Sequence, residues 1–226
     1  MTASRQKYIE EHAAEAMEQM RRYGIPASIT LAQGIIESAE GKSMLSRTAN
    51  NHFGVKGEFN GQFVRADDDK PNEKFKKYDN VGQSYEDHSK VLMADRYKKY
   101  TRNLSADDYK GWAAGIKAGG YATAKNYVST IVGVIEGANL QKYDQMVIEQ
   151  AKREGKKIGT TDYRKGDVSA TPATSVTAKP TPNGLYSLPL KREEFMLVTS
   201  PFGNRRDPMD HSKTQFHKGI DVSCTH

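Results

Sequence analysis

Residues 31–43 read LAQGIIESAEGKS and place a carboxyl group inside an apolar helical pattern. The pattern starts near Pro26, where proline is tolerated in the first turn, and we expect the helix to reach about Glu40. Glu37 follows two isoleucines near the end of this helix. Apolar neighbours solvate a carboxylate poorly and raise its pKa. Such a group can keep its proton near neutral pH and act as a general acid, although an ordinary exposed glutamate is the alternative interpretation.

A loop rich in amide side chains follows, with the sequence NNHFGVK at residues 50–56. The side chains of Asn50 and Asn51 offer donors and acceptors that suit the hydroxyl and acetamido groups of sugars. Phe53 offers an apolar ring face on which a pyranose can lie. We therefore interpret Asn50, Asn51 and Phe53 as candidate substrate-binding residues.

The Glu37-Ser38 pair, followed by the Asn-Asn-x-Phe-Gly-x-Lys run, resembles the glucosaminidase family. This is glycoside hydrolase family 73, typified by flagellar peptidoglycan hydrolases and autolysins. The resemblance covers about residues 9–144, because further runs occur in the order found in the family. These runs are Phe75-Lys76-Lys77-Tyr78-Asp79, Ser84, Asp87-His88, Gly120-Tyr121-Ala122-Thr123, Tyr127, Ile131, Ile135, and Leu140 to Tyr143-Asp144.

The resemblance implies an α+β, mainly α fold: a lysozyme-like helical domain with a small β-hairpin lobe beside a sugar-binding groove. It implies hydrolysis of the β-1,4 bond between N-acetylglucosamine and N-acetylmuramic acid, with Glu37 as general acid. Tyr121 is then expected near the reaction centre, where it positions substrate by a hydrogen bond; a core tyrosine is the alternative. Tyr127 is a further substrate-binding candidate, although its spacing to Ile131 also suits simple packing.

A second carboxylate is harder to assign. Many relatives carry a glutamate in the strand after an Asn-Gly-Gln-like turn, but here no glutamate stands at the expected place after residues 60–62. We take Asp68 as the candidate because it keeps the side-chain parity of Val64 and Ala66. The alternatives are a solvated turn, an adventitious cation site, or assistance by the substrate's own acetamido group in place of a second carboxylate. The other acidic candidates are Asp67, Asp69 and Glu73.

Helical periodicity recurs on both sides of this region. Ser4 is the expected N-cap of an opening helix that Gly24 ends. Short alternating runs punctuated by glycines between Phe53 and Tyr78 predict a small hairpin. Further helices are expected near Ser84, from Ser105 with a capping-box-like spacing to Asp108, and around Tyr127 and Leu140.

Composition divides the chain of 226 residues into three segments. Residues 2–157 carry nearly all the helical periodicity and form the predicted glucosaminidase domain. Residues 158–183 are rich in Thr, Pro, Ala and Ser and predict an extended linker. Residues 184–226 are a short piece, of a size that rarely folds alone without a metal, a disulfide or a partner.

The last segment resembles the start of lysostaphin-like zinc endopeptidases, through SPFGNRRDP at residues 200–208 and FHKGID at 216–221. His217 and Asp221 supply two zinc ligands in this interpretation. A hydrolytic zinc site needs a third protein ligand, and the family's later His-x-His run does not follow. We therefore expect an incomplete, inactive β-type domain with an incomplete zinc site. The glucosaminidase domain is expected to need no cofactor.

Charge and hydropathy limit the partners. The formal net charge is +6 and the pI about 9.2, which favours polyanionic partners. We favour the bacterial envelope over nucleic acid, because acids and bases are interspersed and no nucleic-acid-binding pattern occurs. No apolar run reaches the roughly 18 residues that a membrane span requires. We expect a monomer that acts outside the cytoplasm, although the N-terminal residues show no secretory signal pattern.

Three other functions remain open on sequence grounds. One is a wall-binding module that holds glycan without cutting it, which the Asp67-Asp68-Asp69 run keeps in consideration. Another is a lytic transglycosylase, which shares a lysozyme-like groove with one glutamate and forms an anhydro sugar. A metallopeptidase as the main activity is the third.

Overall fold

The structure, a computed structural model, describes residues 1–68 and 70–160 with their side chains and the backbone of four short strands between residues 197 and 223. The chain forms two compact units, Met1–Pro172 and Ala173–His226. The described helices of the first unit are α1 (Ala3–Tyr23), α2 (Ala27–Glu37), α3 (Met44–Ala49), α4 (Val81–Leu92), α5 (Asp95–Thr101), α6 (Tyr109–Ala118), α7 (Tyr127–Gly137) and α8 (Gln141–Glu154). Its strands are β1 (Phe63–Ala66) and β2 (Glu73–Lys76), so the α+β, mainly α fold class is confirmed.

Helix α1 begins after Thr2, whose hydroxyl oxygen accepts a hydrogen bond from the Arg5 amide at 3.1 Å. Ser4, the expected N-cap, lies inside the first turn. The prediction was wrong because Thr2 has the extended backbone that an N-cap needs, with φ −79° and ψ 152°. Gly24 ends the helix as predicted: at φ 77° its amide donates to the Met20 carbonyl at 2.8 Å.

Helix α2 is the centre of the core. All nine residues from Ala27 to Ile35 are buried. A helix that is apolar on every side must be surrounded by other elements, and α2 contacts α1, α6, α7 and α8. The fold therefore builds the remaining helices around the element that carries Glu37.

The N-terminus of α2 is capped from another helix. Pro26 offers no capping side chain. Asp144 of α8 accepts hydrogen bonds from the Ser28 amide at 2.8 Å and from the Ser28 hydroxyl at 2.5 Å. A carboxylate at this end also complements the helix dipole. Burial raises the pKa of Asp144 to about 6, while the Ser28 hydrogen bonds oppose that rise.

The C-terminus of α2 is at Glu37, three residues before the predicted end at Glu40. The Ser38 hydroxyl donates to the Gly34 carbonyl at 2.6 Å and accepts from the Gly41 amide at 2.7 Å. The Ser38 side chain therefore bonds to backbone groups that would take part in a further turn of the helix. Glu40 then adopts φ 58°, outside the helical region. Glu37 therefore lies at the rim of the core.

The predicted hairpin is confirmed. Strands β1 and β2 pair antiparallel, with Phe63 opposite Lys76 and Ala66 opposite Glu73. The strand ends at Ala66, so the parity used to select Asp68 does not continue to that residue. Asp68 lies in a bend of the turn that joins the two strands.

The later helices are also present, with one cap corrected. Asp108 is the N-cap of α6 and accepts from the Gly111 amide at 2.9 Å. Ser105 does not take part in a capping box, because its hydroxyl donates to Asp107 instead. The short helices α3 and α5 were not predicted, since seven residues or fewer give too few turns for a clear periodicity.

The chain after α8 returns to α1. Ile158 packs against the core, and the Gly159 amide donates to the Arg21 carbonyl at 2.8 Å. The described residues of the first unit run to Thr160, three residues beyond the expected domain boundary at residue 157, which stays a prediction. The rest of the expected linker, residues 161–183, lies outside the described residues. Among the helices that the structure describes, none is long and apolar enough to cross a membrane.

The second unit is described only by strand backbones. β3 (Leu197–Ser200) pairs with β6 (Asp221–Ser223), and β4 (Gly203–Arg206) pairs with β5 (Thr214–His217). Both pairs are antiparallel. His217 is the last residue of β5 and Asp221 the first of β6. Their pairing as zinc ligands stays a prediction.

Candidate active site

An open cavity of about 350 Å³ lies at the C-terminal end of α2. Five parts of the first unit contribute to its walls: the end of α2, the loop after α3, helix α4, helix α5 and the loop after α6. The lining residues are Glu37, Phe53, Gly54, Val55, Lys56, His88, Val91, Arg96, Tyr97, Gly120 and Tyr121. We call this cavity the groove. It joins four runs that the sequence singled out separately: those at Glu37, at residues 50–56, at His88 and at residues 120–123.

Glu37 is the carboxyl group that lines the groove. Its side chain is reached by solvent, yet protein atoms crowd it on several sides. This desolvation raises its pKa above the ordinary value, and the negative charge of Asp68 raises it further. Both effects favour the protonated carboxyl, the form that a general acid needs.

Asp68 lies close enough to Glu37 for its charge to act on that carboxyl group. Its own carboxylate pairs with Lys56 at 2.9 Å. Lys56 also binds Glu73 at 3.0 Å, so both acids are held to one ammonium group. Asp67 is used differently, since its side chain accepts from the Asn72 amide at 2.8 Å. Asp68 does not line the groove, and its role as the second carboxylate stays a prediction, while Asp69 lies outside the described residues.

Tyr121 reaches the groove from the loop after α6. Gly120, with φ 84°, makes the turn that aims this loop back towards α2. The Tyr121 ring lies 5.9 Å from the Tyr127 ring and 6.3 Å from the Tyr97 ring, centroid to centroid. Burial raises the pKa of Tyr121 well above its usual range, and the charge of Glu37 adds to the effect. The phenol therefore keeps its proton and can donate a hydrogen bond.

Tyr127, predicted to bind substrate, lies beneath the groove and does not line it. Its hydroxyl accepts from the buried amide of Gln33 at 2.9 Å. The ring is 7% exposed and packs beside Tyr121. The packing interpretation of Tyr127 therefore fits its position better than direct contact with substrate, which stays a prediction.

The asparagine pair shapes the loop instead of facing the groove. Asn51 is 1% exposed. Its amide donates to the carbonyls of Val55 and Lys76 at 3.0 and 2.9 Å, and its oxygen accepts from the Val55 amide. Asn50 donates to the Tyr78 carbonyl at 2.9 Å. Through these bonds Asn50 and Asn51 hold the loop against the hairpin, and their contact with sugar stays a prediction.

Phe53 lines the groove, and its role as a platform for sugar stays a prediction. One ring face stacks on His88, with centroids 3.9 Å apart and planes at 14°. The ring edge meets Tyr85 at 4.9 Å. At 6% exposed, Phe53 forms part of the groove floor.

Sequence reasoning assigned no site role to four residues of the groove wall. They are His88, Val91, Arg96 and Tyr97. His88 belongs to a run that the family resemblance already contained, so a signal for it existed. Arg96 and Tyr97 lie on α5, a helix too short to be predicted. No cluster of three metal-ligating side chains occurs within the described residues.

These features first define a class. A helical body with a hairpin lobe, and an open groove around one carboxyl group with a raised pKa, is the arrangement of a lysozyme-like glycoside hydrolase. The sequence model of the Glucosaminidase family, described as mannosyl-glycoprotein endo-beta-N-acetylglucosaminidase, matches residues 13–140. Because this match covers more than half of the chain, the protein belongs to the glucosaminidase family.

Individual relatives agree with this placement. The exo-glucosaminidase LytG of Bacillus subtilis is 32% identical over 152 residues, which are 62% of this chain and 54% of that protein. An autolysin of Enterococcus faecalis is 32% identical over 157 residues, 63% of this chain and 21% of the relative. The catalytic domain of the autolysin Auto from Listeria monocytogenes has a TM-score of 0.56 and 31% identity, over 63% of this chain and 89% of that one. The chain thus spans about half of the first relative and about a fifth of the second.

Proposed function

We propose that this protein is a peptidoglycan hydrolase that cleaves the β-1,4 bond between N-acetylglucosamine and N-acetylmuramic acid. The observation that carries the proposal is the position of Glu37, a carboxyl group with a raised pKa that lines the groove beside Tyr121. The family match and the relatives named as autolysins and a glucosaminidase support the same substrate.

Glu37 acts as the general acid. It transfers its proton to the glycosidic oxygen as the bond to the anomeric carbon breaks, and positive charge develops on the sugar ring. Water then attacks the anomeric carbon and loses a proton, which restores the carboxyl group or neutralises a second base. Asp68 is our candidate for that base. The alternative is a reaction without a second carboxylate, in which the acetamido oxygen of the substrate attacks the anomeric carbon first and water then opens the ring that this attack forms. Tyr121 donates a hydrogen bond that holds the sugar in position.

The substrate explains the charge and the place of action that we propose. A net charge of +6 attracts the protein to the anionic envelope. Glycan strands lie outside the cytoplasm, so the enzyme acts there, and one chain supplies every group that the mechanism uses. No step is assigned to a metal ion or other cofactor, including zinc at His217 and Asp221.

Replacing Glu37 by Gln tests the proposal. Purified peptidoglycan is digested by the wild type, by Glu37→Gln, and by the control Glu15→Gln, and the products are identified by mass spectrometry. Glu15 is a matched control because burial raises its pKa too, yet it does not line the groove. We expect wild type and Glu15→Gln to release fragments with N-acetylglucosamine at the reducing end, and Glu37→Gln to lose at least about 100-fold in rate, within the range for a lost general acid.

Three results contradict the proposal. Near-normal activity of Glu37→Gln removes the catalytic assignment. Binding of peptidoglycan by the wild type without release of fragments indicates a wall-binding module. Fragments that end in an anhydro sugar indicate a lytic transglycosylase.

A further inference from the structure

His88 is a buried imidazole in contact with the tyrosine of the groove. It lies on α4 and is 1% exposed. Its ring stacks on Phe53, and its Nε2 atom is 3.4 Å from the Tyr121 hydroxyl oxygen. The mechanism proposed above gives this side chain no role, although a buried histidine in a groove wall is a costly group to place.

The protonation state of His88 follows from its surroundings. Burial lowers its pKa to about 3, so the ring is neutral throughout the ordinary pH range and carries one N–H. The Nδ1 atom has no hydrogen-bond partner among the described residues, while Nε2 faces Tyr121. A buried donor without a partner is rarer than a buried acceptor without one. The hydrogen is therefore on Nε2, and Nδ1 is the bare acceptor.

This tautomer determines what Tyr121 can do. If Nε2–H donates to the phenol oxygen, the Tyr121 hydroxyl cannot donate its own hydrogen bond to His88. The Tyr121 proton is then free to donate to another oxygen. The phenol stays protonated, because burial and the charge of Glu37 both raise its pKa. The opposite tautomer would turn the Tyr121 proton towards α4 and away from the groove.

We propose that His88 is a positioning residue: as the Nε2–H tautomer it donates to Tyr121, so that the Tyr121 hydroxyl donates into the groove beside Glu37. This proposal rests on the function proposed above. The Phe53 ring stacks on the imidazole of His88 and fixes its plane. This contact gives the nearly buried Phe53 a role in the groove floor.

Nitrogen NMR of the wild-type protein tests the tautomer without reference to activity. Imidazole nitrogens are labelled with ¹⁵N, and the His88 signals are assigned by their absence in His88→Gln. We expect Nε2 to be protonated and Nδ1 to be unprotonated at neutral pH. The reverse assignment, or a doubly protonated ring, overturns the proposal.

Kinetics of two amide variants test the action through Tyr121. In His88→Gln the side-chain amide nitrogen can take the place of Nε2, whereas in His88→Asn it takes the place of Nδ1. We expect His88→Asn to lower kcat about tenfold with little change in KM, the effect of losing one hydrogen bond that acts in the transition state. His88→Gln should recover most of that loss.

A Tyr121→Phe background completes the test. Because His88 acts through the Tyr121 hydroxyl, His88→Asn should cause no further loss of kcat once that hydroxyl is absent. An equal loss in both backgrounds means that His88 only supports the fold, and overturns the proposal. The two proposals also fail in different ways: a wild type that releases no sugar fragments refutes the hydrolase, while the NMR result still decides the tautomer.

Discussion

At the scale of single residues, Glu37 and Glu40 show how the surroundings of a carboxyl group set its pKa. Burial and Asp68 raise the pKa of Glu37. A hydrogen bond from Ser4 lowers the pKa of Glu40, and the positive charges of Arg5 and Lys42 add to the decrease. The two glutamates are three residues apart, but only Glu37 lines the groove. The end of α2 at Glu37 separates these two environments.

The Asp68→Asn variant tests the electrostatic link to Glu37. The negative charge of Asp68 raises the pKa of Glu37, so its removal should lower that pKa. Since Glu37 must be protonated to act, the alkaline limb of the pH profile of kcat/KM should move to lower pH. If Asp68 is also the base, kcat should fall as well. The measurement is the pH profile of reducing-end release.

Asp79→Asn is the control for that experiment. Asp79 binds Gln62 and Gln83 and does not line the groove, so its pH profile should match the wild type. An alkaline limb that stays in place, or moves to higher pH, in Asp68→Asn would show that Asp68 does not act on Glu37.

The sequence revealed some of these residues and not others. Glu37 could be found because its apolar neighbours lie beside it in the chain. The structural bonds of Asn51 could not be predicted, because its partners include the Lys76 carbonyl, and only the folded hairpin brings that group near. Arg96 and Tyr97 gave no signal, since their entry into the groove depends on how α5 packs and not on any local pattern.

At the scale of elements, the contact between α1 and α2 sets the position of the catalytic helix. Gly34 of α2 lies against two buried tyrosines: a β-carbon added there would be 2.6 Å from the Tyr8 hydroxyl and 3.1 Å from the Tyr85 hydroxyl. Those hydroxyls are 3.0 Å apart, and Tyr8 is also 2.9 Å from His52 Nδ1. The hydrogen-bonded side chains of Tyr8, Tyr85 and His52 therefore occupy the space that a side chain at position 34 would need.

The Gly34→Ala variant should lose stability. The added methyl group must displace rigid rings that hydrogen bonds hold in place, which costs about 1–3 kcal/mol. Gly133→Ala is the matched control, because it lies in the exposed part of α7 with no atom within 4 Å of the added carbon. That change should stabilise by about 0.5–1 kcal/mol through helix propensity. Urea unfolding measures both, and a neutral Gly34→Ala would contradict the close packing described.

Elements differed in how well the sequence predicted them. Long periodic helices such as α1 and α8 and the glycine-punctuated hairpin were found from local patterns. Their exact ends were not, because the caps depend on side chains: Ser38 ends α2 early, and Asp144 reaches its start from a helix more than a hundred residues later. The sequence run of α2 could not show that distant partner.

At the scale of the whole molecule, the groove belongs to the first unit, whose described residues form one core around α2. All groups that the mechanism uses come from this unit. The resemblance of the second unit to zinc endopeptidases stays a prediction, with His217 and Asp221 four residues apart in the sequence and in two different strand pairs.

Removal of metal ions tests whether glycan cleavage depends on the first unit alone or on a metal site. Because Glu37 supplies a proton and no step uses a metal, cleavage of glycan by the full chain should be unchanged in EDTA. The measurement is the rate of reducing-end release with and without the chelator, with a zinc-dependent wall peptidase as the control that EDTA must inhibit. Loss of glycan cleavage in EDTA, restored by zinc, would assign the activity to a metal site.

The central claim is that Glu37 holds its proton more tightly than an ordinary glutamate. Carbon NMR of ¹³C-labelled glutamate carboxyl groups, followed over a pH titration, measures this directly, with Glu40 as an internal comparison. We expect a titration midpoint above 4.5 for Glu37 and below 4.5 for Glu40. A Glu37 midpoint at or below that of Glu40 would rule out Glu37 as the general acid, because the groove would then hold a carboxylate with no proton to give.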